Sequence, residues 1–132
     1  MPEGIAYVGS NSTFTGPSNS LITVGDHAYA FGGKVDVTTA NEQLLGFQTG
    51  KKYLRCRLQV SNSAGSGDDI RYTVLLNGVI TCEWYYDQHS TYLAQPLYLV
   101  IPPYTTVAIH GDNQASSTPR AHTCWLEGKV YG

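Results

Sequence analysis

Ionised side chains are scarce: eight Lys and Arg stand against ten Asp and Glu in 132 residues, 14% of the chain, for a net charge of −2. Long solvent-facing helices carry a face of Glu, Lys and Arg, so so few charges argue against them. A protein that wraps nucleic acid, or binds membranes through a polybasic patch, needs a basic surplus that is missing. No apolar run approaches the ~18 residues of a spanning helix. The opening stretch Met1–Phe14 has neither a basic region nor an apolar core, so a secretory signal is not expected and synthesis in a cytosol is. Cysteine is sparse too. Cys56, Cys82 and Cys124 include no close pair of the kind zinc sites use. Buried free thiols are expected, with one disulfide plus a spare thiol as the alternative. His27, His89, His110 and His122 are scattered without a His-x-His pair, so no metal and no other cofactor is expected.

What is abundant points one way. Fourteen Gly, thirteen Thr, ten Ser and ten Tyr accompany a single Met. Thr and Tyr suit a pleated surface, while Gly and Ser suit tight turns. Met1–Asn19 is rich in Gly, Ser, Thr and Asn and holds no Lys or Arg; it reads as an extended arm. The remainder, from Ser20 to Gly132, reads as one domain. Strand candidates begin at Ser20–Val24, then His27–Phe31 after a Gly25-Asp26 turn, Lys34–Thr38 after a Gly32-Gly33 turn, and Gln43–Gln48.

The pattern sharpens at Tyr53–Val60, where Leu54, Cys56, Leu58 and Val60 alternate with Arg55, Arg57 and Gln59, the period of a strand buried on one face. Ile70–Leu76 and Val79–Tyr86 flank Asn77-Gly78, the strongest short signal for a type I′ hairpin. Pro96–Ile101, ended by Pro102-Pro103, leads to Tyr104–His110, and Ala121–Tyr131 closes the series. Eight or nine short strands without a convincing helix predict an all-β fold. The uneven loops between them favour crossing between two sheets, so a single jelly-roll-like antiparallel β-sandwich comes first. An immunoglobulin-like sandwich comes second, because Trp84 does not fall between suitably spaced cysteines.

Catalytic constellations are weak. Asp26, Asp36, Asp68, Asp69, Asp87 and Asp112 sit mostly where turns are expected. Glu83 and Glu127 are the only mid-strand acids that could form a glycosidase pair. His122 and Cys124 share a strand face two residues apart, too far along it for a nucleophilic dyad. Gly32-Gly33 and Gly65-Ser66-Gly67 lack the helix start and lysine of a phosphate cradle and read as turns. Arg55, Arg57 and Arg71 would line up as a basic stripe if their strands paired, and being Arg they suit carboxylate pairing between chains.

The surplus with interest is aromatic. Trp84-Tyr85-Tyr86 places rings on both faces of one strand, and Tyr92, Tyr98, Tyr104 and Trp125 follow. Of these, Trp84, Tyr86, Tyr92, Tyr98, Tyr104 and Trp125 are candidates for a subunit interface or a sugar-stacking platform, both of which use broad amphipathic rings. Loops around Asp87-Gln88 and Asp112–Gln114 would supply polar partners to a sugar.

Leu45-Gly46-Phe47 running into Tyr53–Val60, the Leu-Asn-Gly-Val turn within Tyr72–Val79, and the strand–Pro-Pro–strand unit of Pro96–Val107 together resemble small single-jelly-roll structural proteins of viruses and phages. Capsid, penton, spike and head-decoration subunits are of this kind. The resemblance implies a non-enzymatic virion subunit that assembles as a homo-oligomer, a trimer foremost, and contacts other capsid subunits. It implies no site residue. The uncharged-to-acidic arm argues against genome contact, and no membrane partner is expected. The alternative is a carbohydrate-binding jelly-roll module or lectin-like attachment protein that recognises surface glycans.

Overall fold

A computed structural model describes residues 21–65, 67–87 and 96–132. The expected arm Met1–Asn19, His89 and Tyr92 lie outside the described residues. The described chain forms nine strands: β1 (Ile22–Val24), β2 (His27–Val37), β3 (Glu42–Gln48), β4 (Tyr53–Asn62), β5 (Asp69–Leu76), β6 (Val79–Asp87), β7 (Leu97–Ile101), β8 (Thr106–Asn113) and β9 (Arg120–Tyr131). No helix occurs among the described residues, and so none there is long and apolar enough to cross a membrane.

The strands build two antiparallel sheets, ordered β1-β2-β9-β4-β7 and β3-β8-β5-β6. The pairing is nested. β5 pairs with β6, β4 with β7, β3 with β8 and β2 with β9. The chain is thus one long antiparallel ribbon, folded back at its middle and rolled so that β4 meets β9 and β5 meets β8. Eight strands joined this way are a jelly roll, as the sequence predicts; β1 adds a short edge strand beside β2.

The tip of the ribbon is the Asn77-Gly78 turn. Both residues have positive φ, 53° and 80°, which a type I′ turn demands and which Asn and Gly tolerate. Asn77 also ties the tip to β8, its N–H donating to Thr106 O at 2.8 Å and its side-chain oxygen accepting from Thr106 N–H at 2.9 Å.

Alternation decides the core. Leu54, Cys56, Leu58 and Val60 of β4 face Ile70, Tyr72 and Val74 of β5, with Val107 and Ile109 of β8 and Cys124 and Leu126 of β9, all buried. Fully removing such side chains from water contributes roughly 1.5–3 kcal/mol each. Where alternation breaks, the ladder bulges. Leu44 and Leu45 are both buried because β3 carries an extra residue between Gln43 and Leu45 opposite His110 and Ile109.

The second bulge corrects an expectation. Gly32-Gly33 does not turn the chain; β2 runs unbroken, with the register shifting between Phe31 and Lys34. The extra residue moves the inward positions from Ala28 and Ala30 to Val35 and Val37, as a one-residue insertion must. Gly32 is needed there, since a Cβ would stand 1.9 Å from Leu44 O. Of the six aspartates expected mostly at turns, four belong to strands: Asp36 to β2, Asp69 to β5, Asp87 to β6 and Asp112 to β8.

Candidate binding groove

Outward residues of β2, β9, β4 and β7 line an open groove of about 1000 Å³ across the five-stranded sheet. Register places them in rows. His27, Lys129, Arg55 and Val100 are successive cross-strand neighbours; so are Tyr29, Glu127, Arg57 and Tyr98; so are Phe31, Trp125 and Gln59. Tyr29 and Tyr98 therefore stand at the two sides of Glu127 and Arg57, while Trp125 stands on the central strand β9 one row away. Tyr29 and Phe31 are 5.3 Å apart on β2, and Tyr131 stacks on Tyr53 at 5.3 Å and 20° beyond the cationic row.

The floor depends on one glycine. A Cβ on Gly128 would lie 2.0 Å from Arg55 O and 2.6 Å from Cys56 Cα. Only a residue without a side chain lets β9 approach β4 so closely, the usual meaning of a glycine inside a strand.

Electrostatics within the groove are uneven. Arg57 forms an ion pair with Glu127 and lies over Trp125, its guanidinium carbon 5.5 Å from the ring centre. Arg55 lies over the Tyr131 ring, its guanidinium carbon 6.0 Å from the ring centre. Among the described residues, Arg55 and Lys129 have no carboxylate partner, although they stand directly opposite one another. Like charges facing across a strand pair destabilise it.

Two of the aromatics singled out in the sequence meet here, Tyr98 and Trp125. Trp84 and Tyr86 turn inward from β6 and pack half-buried on the core, Trp84 against Tyr72 at 5.3 Å. Tyr104 is exposed on the β7–β8 turn. The expected arginine stripe is broken up, because β4 and β5 belong to different sheets. Arg55 and Arg57 face one side of the sandwich, while Arg71 on the other side donates two hydrogen bonds to Asp112, at 3.1 and 2.9 Å. No protein-family model, curated protein or solved structure matches this chain.

Acid pairs and thiol dyads gain nothing from that geometry. Glu83 is exposed on β6 of one sheet and Glu127 on β9 of the other, so no substrate sits between them. His122 is buried and engaged at both nitrogens: Nδ1–H donates to Arg120 O at 2.9 Å, and Nε2 accepts from the Tyr72 hydroxyl at 2.8 Å. That hydroxyl in turn accepts from Asn62 Nδ2 at 2.8 Å. Burial foremost pushes the Tyr72 pKa up, which keeps it a donor, and burial foremost pulls the His122 pKa down, which keeps it neutral. Burial raises the Cys124 thiol, and lifts Cys56 to about 12; neither is poised as a nucleophile. All three cysteines are free.

Asp68 anchors the neighbouring loop. Its carboxylate accepts from Gly65 N–H at 2.7 Å and Asn113 Nδ2 at 2.8 Å. Arg120 Nε lies 2.8 Å from the same carboxylate and pairs with it as an ion pair. Burial opposes ionisation of Asp68, yet Gly65, Asn113 and Arg120 together outweigh it and hold the pKa below the ordinary carboxylate value. Among the described residues no three His, Cys, Asp or Glu side chains cluster as metal ligands.

Sequence reasoning missed most of the groove. Outward positions on β4 and β9 were visible as alternation, but nothing in the chain announces that β9 inserts between β2 and β4. Without that adjacency, Tyr29, Arg55 and Lys129 look like unrelated surface residues.

Proposed function

We propose that this chain is a non-enzymatic structural subunit of a virus particle, acting by homo-oligomeric assembly and residing in the virion. The observation that carries the reading is an apolar edge that no other described strand covers. β6 is the outermost strand of its sheet, and Val79, Ile80 and Tyr85 on it are exposed, at 63%, 60% and 56%. Tyr104 is exposed at the same end of the sandwich, on the turn whose neighbour Thr106 bonds Asn77. An edge strand offers unpaired backbone donors and acceptors, and monomers protect such edges with charge or proline. Here Val79, Ile80 and Tyr85 stand exposed with Glu83 as the one exposed carboxylate among them and no proline, which favours an edge that is covered by another subunit.

Jelly-roll topology is shared by viral capsid and lectin domains, and the strand-and-turn cadence of the sequence favours the former. Closed point-group symmetry, three-fold foremost, would let each subunit cover the next one's edge. Light scattering on the purified protein tests the reading. A stable trimer or larger closed assembly is expected, and Ile80→Lys should convert it to monomer while leaving the strand content unchanged. A wild-type protein that stays monomeric at micromolar concentration overturns it.

A further inference from the structure

We infer that the groove on the five-stranded sheet is a binding site for saccharides bearing carboxylate groups. The inference does not depend on the assembly proposed above, since the apolar edge of β6 belongs to the other sheet.

Charge selects the ligand class. The groove holds Arg55, Arg57 and Lys129 against Glu127 alone, three cations to one anion, in a chain whose net charge is −2. Glu127 is already spent on Arg57. That leaves Arg55 and Lys129 opposed across β4 and β9, with His27 next in the same row. The fold gains nothing from this juxtaposition. A carboxylate seated over the row would neutralise it, accepting a forked pair of hydrogen bonds from Arg55 and a third from Lys129.

Shape and rings select the rest. Four strands are spanned, and adjacent strands lie ~4.8 Å apart, so the groove is ~14 Å across, the scale of a short oligosaccharide. Tyr29 and Tyr98 close the two ends of the row next to the cations, and Trp125 lies one row further along. Their faces suit the apolar faces of sugar rings, and the tyrosine hydroxyls suit the sugar hydroxyls. Arg57 is held in place by Glu127 and Trp125, so it presents its remaining donors with little further loss of conformational freedom. The open form of the groove, without a closed pocket, fits a chain of sugars laid along it.

Calorimetry on the full-length protein tests this with trigalacturonate and 3′-sialyllactose, using methyl-esterified trigalacturonate and lactose as neutral counterparts. At least one acidic sugar should bind, its neutral counterpart should bind roughly tenfold or more weakly, and added salt should weaken the acidic sugar alone. Arg55→Gln and Lys129→Gln should each cost roughly tenfold, as expected for a lost charged hydrogen bond. Trp125→Ala should also weaken binding, whereas Glu83→Gln on the other sheet should not. Unchanged or raised urea midpoints for the Arg55 and Lys129 variants separate lost binding from lost folding; should either be destabilised, Arg55→Lys, which keeps the charge but not the fork, is expected to weaken binding with folding intact. Failure of both acidic sugars to bind overturns the inference. Equal affinity for acidic and neutral sugars, or tighter binding of an oligothymidylate through the same residues, overturns it as well.

Discussion

The hydroxyl of Tyr72 on β5 reaches 2.8 Å across the core to Nε2 of His122 on β9, and so joins the two sheets by a hydrogen bond that water does not reach. Asn62 and the Arg120 carbonyl complete the series on either side. Every member is satisfied, which is what makes a buried polar group tolerable.

Tyr72→Phe keeps the ring and removes the bridge. It leaves His122 Nε2 buried without a donor, so a loss of about 1–3 kcal/mol is expected, read from the urea midpoint. A variant as stable as wild type would mean that the inter-sheet bond contributes nothing.

Acid should weaken the fold in two stages. The folded-state pKa of His122 and of His110 lies below the ordinary 6.5, burial being the foremost cause for both. The unfolded chain therefore takes up protons that the folded chain refuses, and stability is lost as pH falls below that value. A second loss begins below about 3.8, where the lowered pKa of Asp68 keeps the folded chain ionised after the unfolded chain has been protonated. Urea midpoints across pH check both stages; His122→Gln should flatten the first. A midpoint that rises between about pH 7 and about pH 5 would contradict this assignment.

Asn77→Ala tests the ribbon's tip. Alanine bears the positive φ poorly, at about 1–2 kcal/mol, and the bond to Thr106 N–H goes with the side chain. Roughly 2 kcal/mol of stability should disappear. Asn77→Gly separates the causes, because it restores the backbone freedom without the hydrogen bond and should recover about half the loss.

Thiol labelling gives a direct measure of burial. Cys56, lifted to about 12, and Cys124, raised further by deeper burial, should resist iodoacetamide in the native state. The half-buried Cys82 should react first, and all three should react in denaturant. Rapid native labelling of Cys124 would place β9 elsewhere.

Much of this architecture was legible because the chain repeats simple rules. Alternation around Arg55, Arg57 and Gln59 located the faces of β4, and Asn77-Gly78 marked the central turn with its type. Pro102-Pro103 marked the end of β7. What stayed hidden were features set by non-local contact. Gly32-Gly33 has the composition of a turn; only the crowding of Leu44 O makes it a bulge. Trp84 and Trp125 both look like strand rings beside polar residues, and only the placement of their strands sends one inward and the other into the groove. Arg71 finds its carboxylate 41 residues away, a distance no local pattern encodes.

Nested pairing also sets an order of events. The β5–β6 hairpin needs only a two-residue loop, whereas β2 and β9 enclose almost the whole domain, with His27 opposite Lys129. Loop closure grows costlier outward, and topologies rich in such distant pairings fold slowly. The chain is expected to zip from Asn77-Gly78 toward its ends, so that pulsed hydrogen exchange protects β5 and β6 well before β2. The row of Lys129 and His27 is then among the last places to take shape. A molecule that settles in the groove would act as a clasp on the final step of maturation, slowing the unzipping of the outermost strands and reporting that every inner pair has already closed.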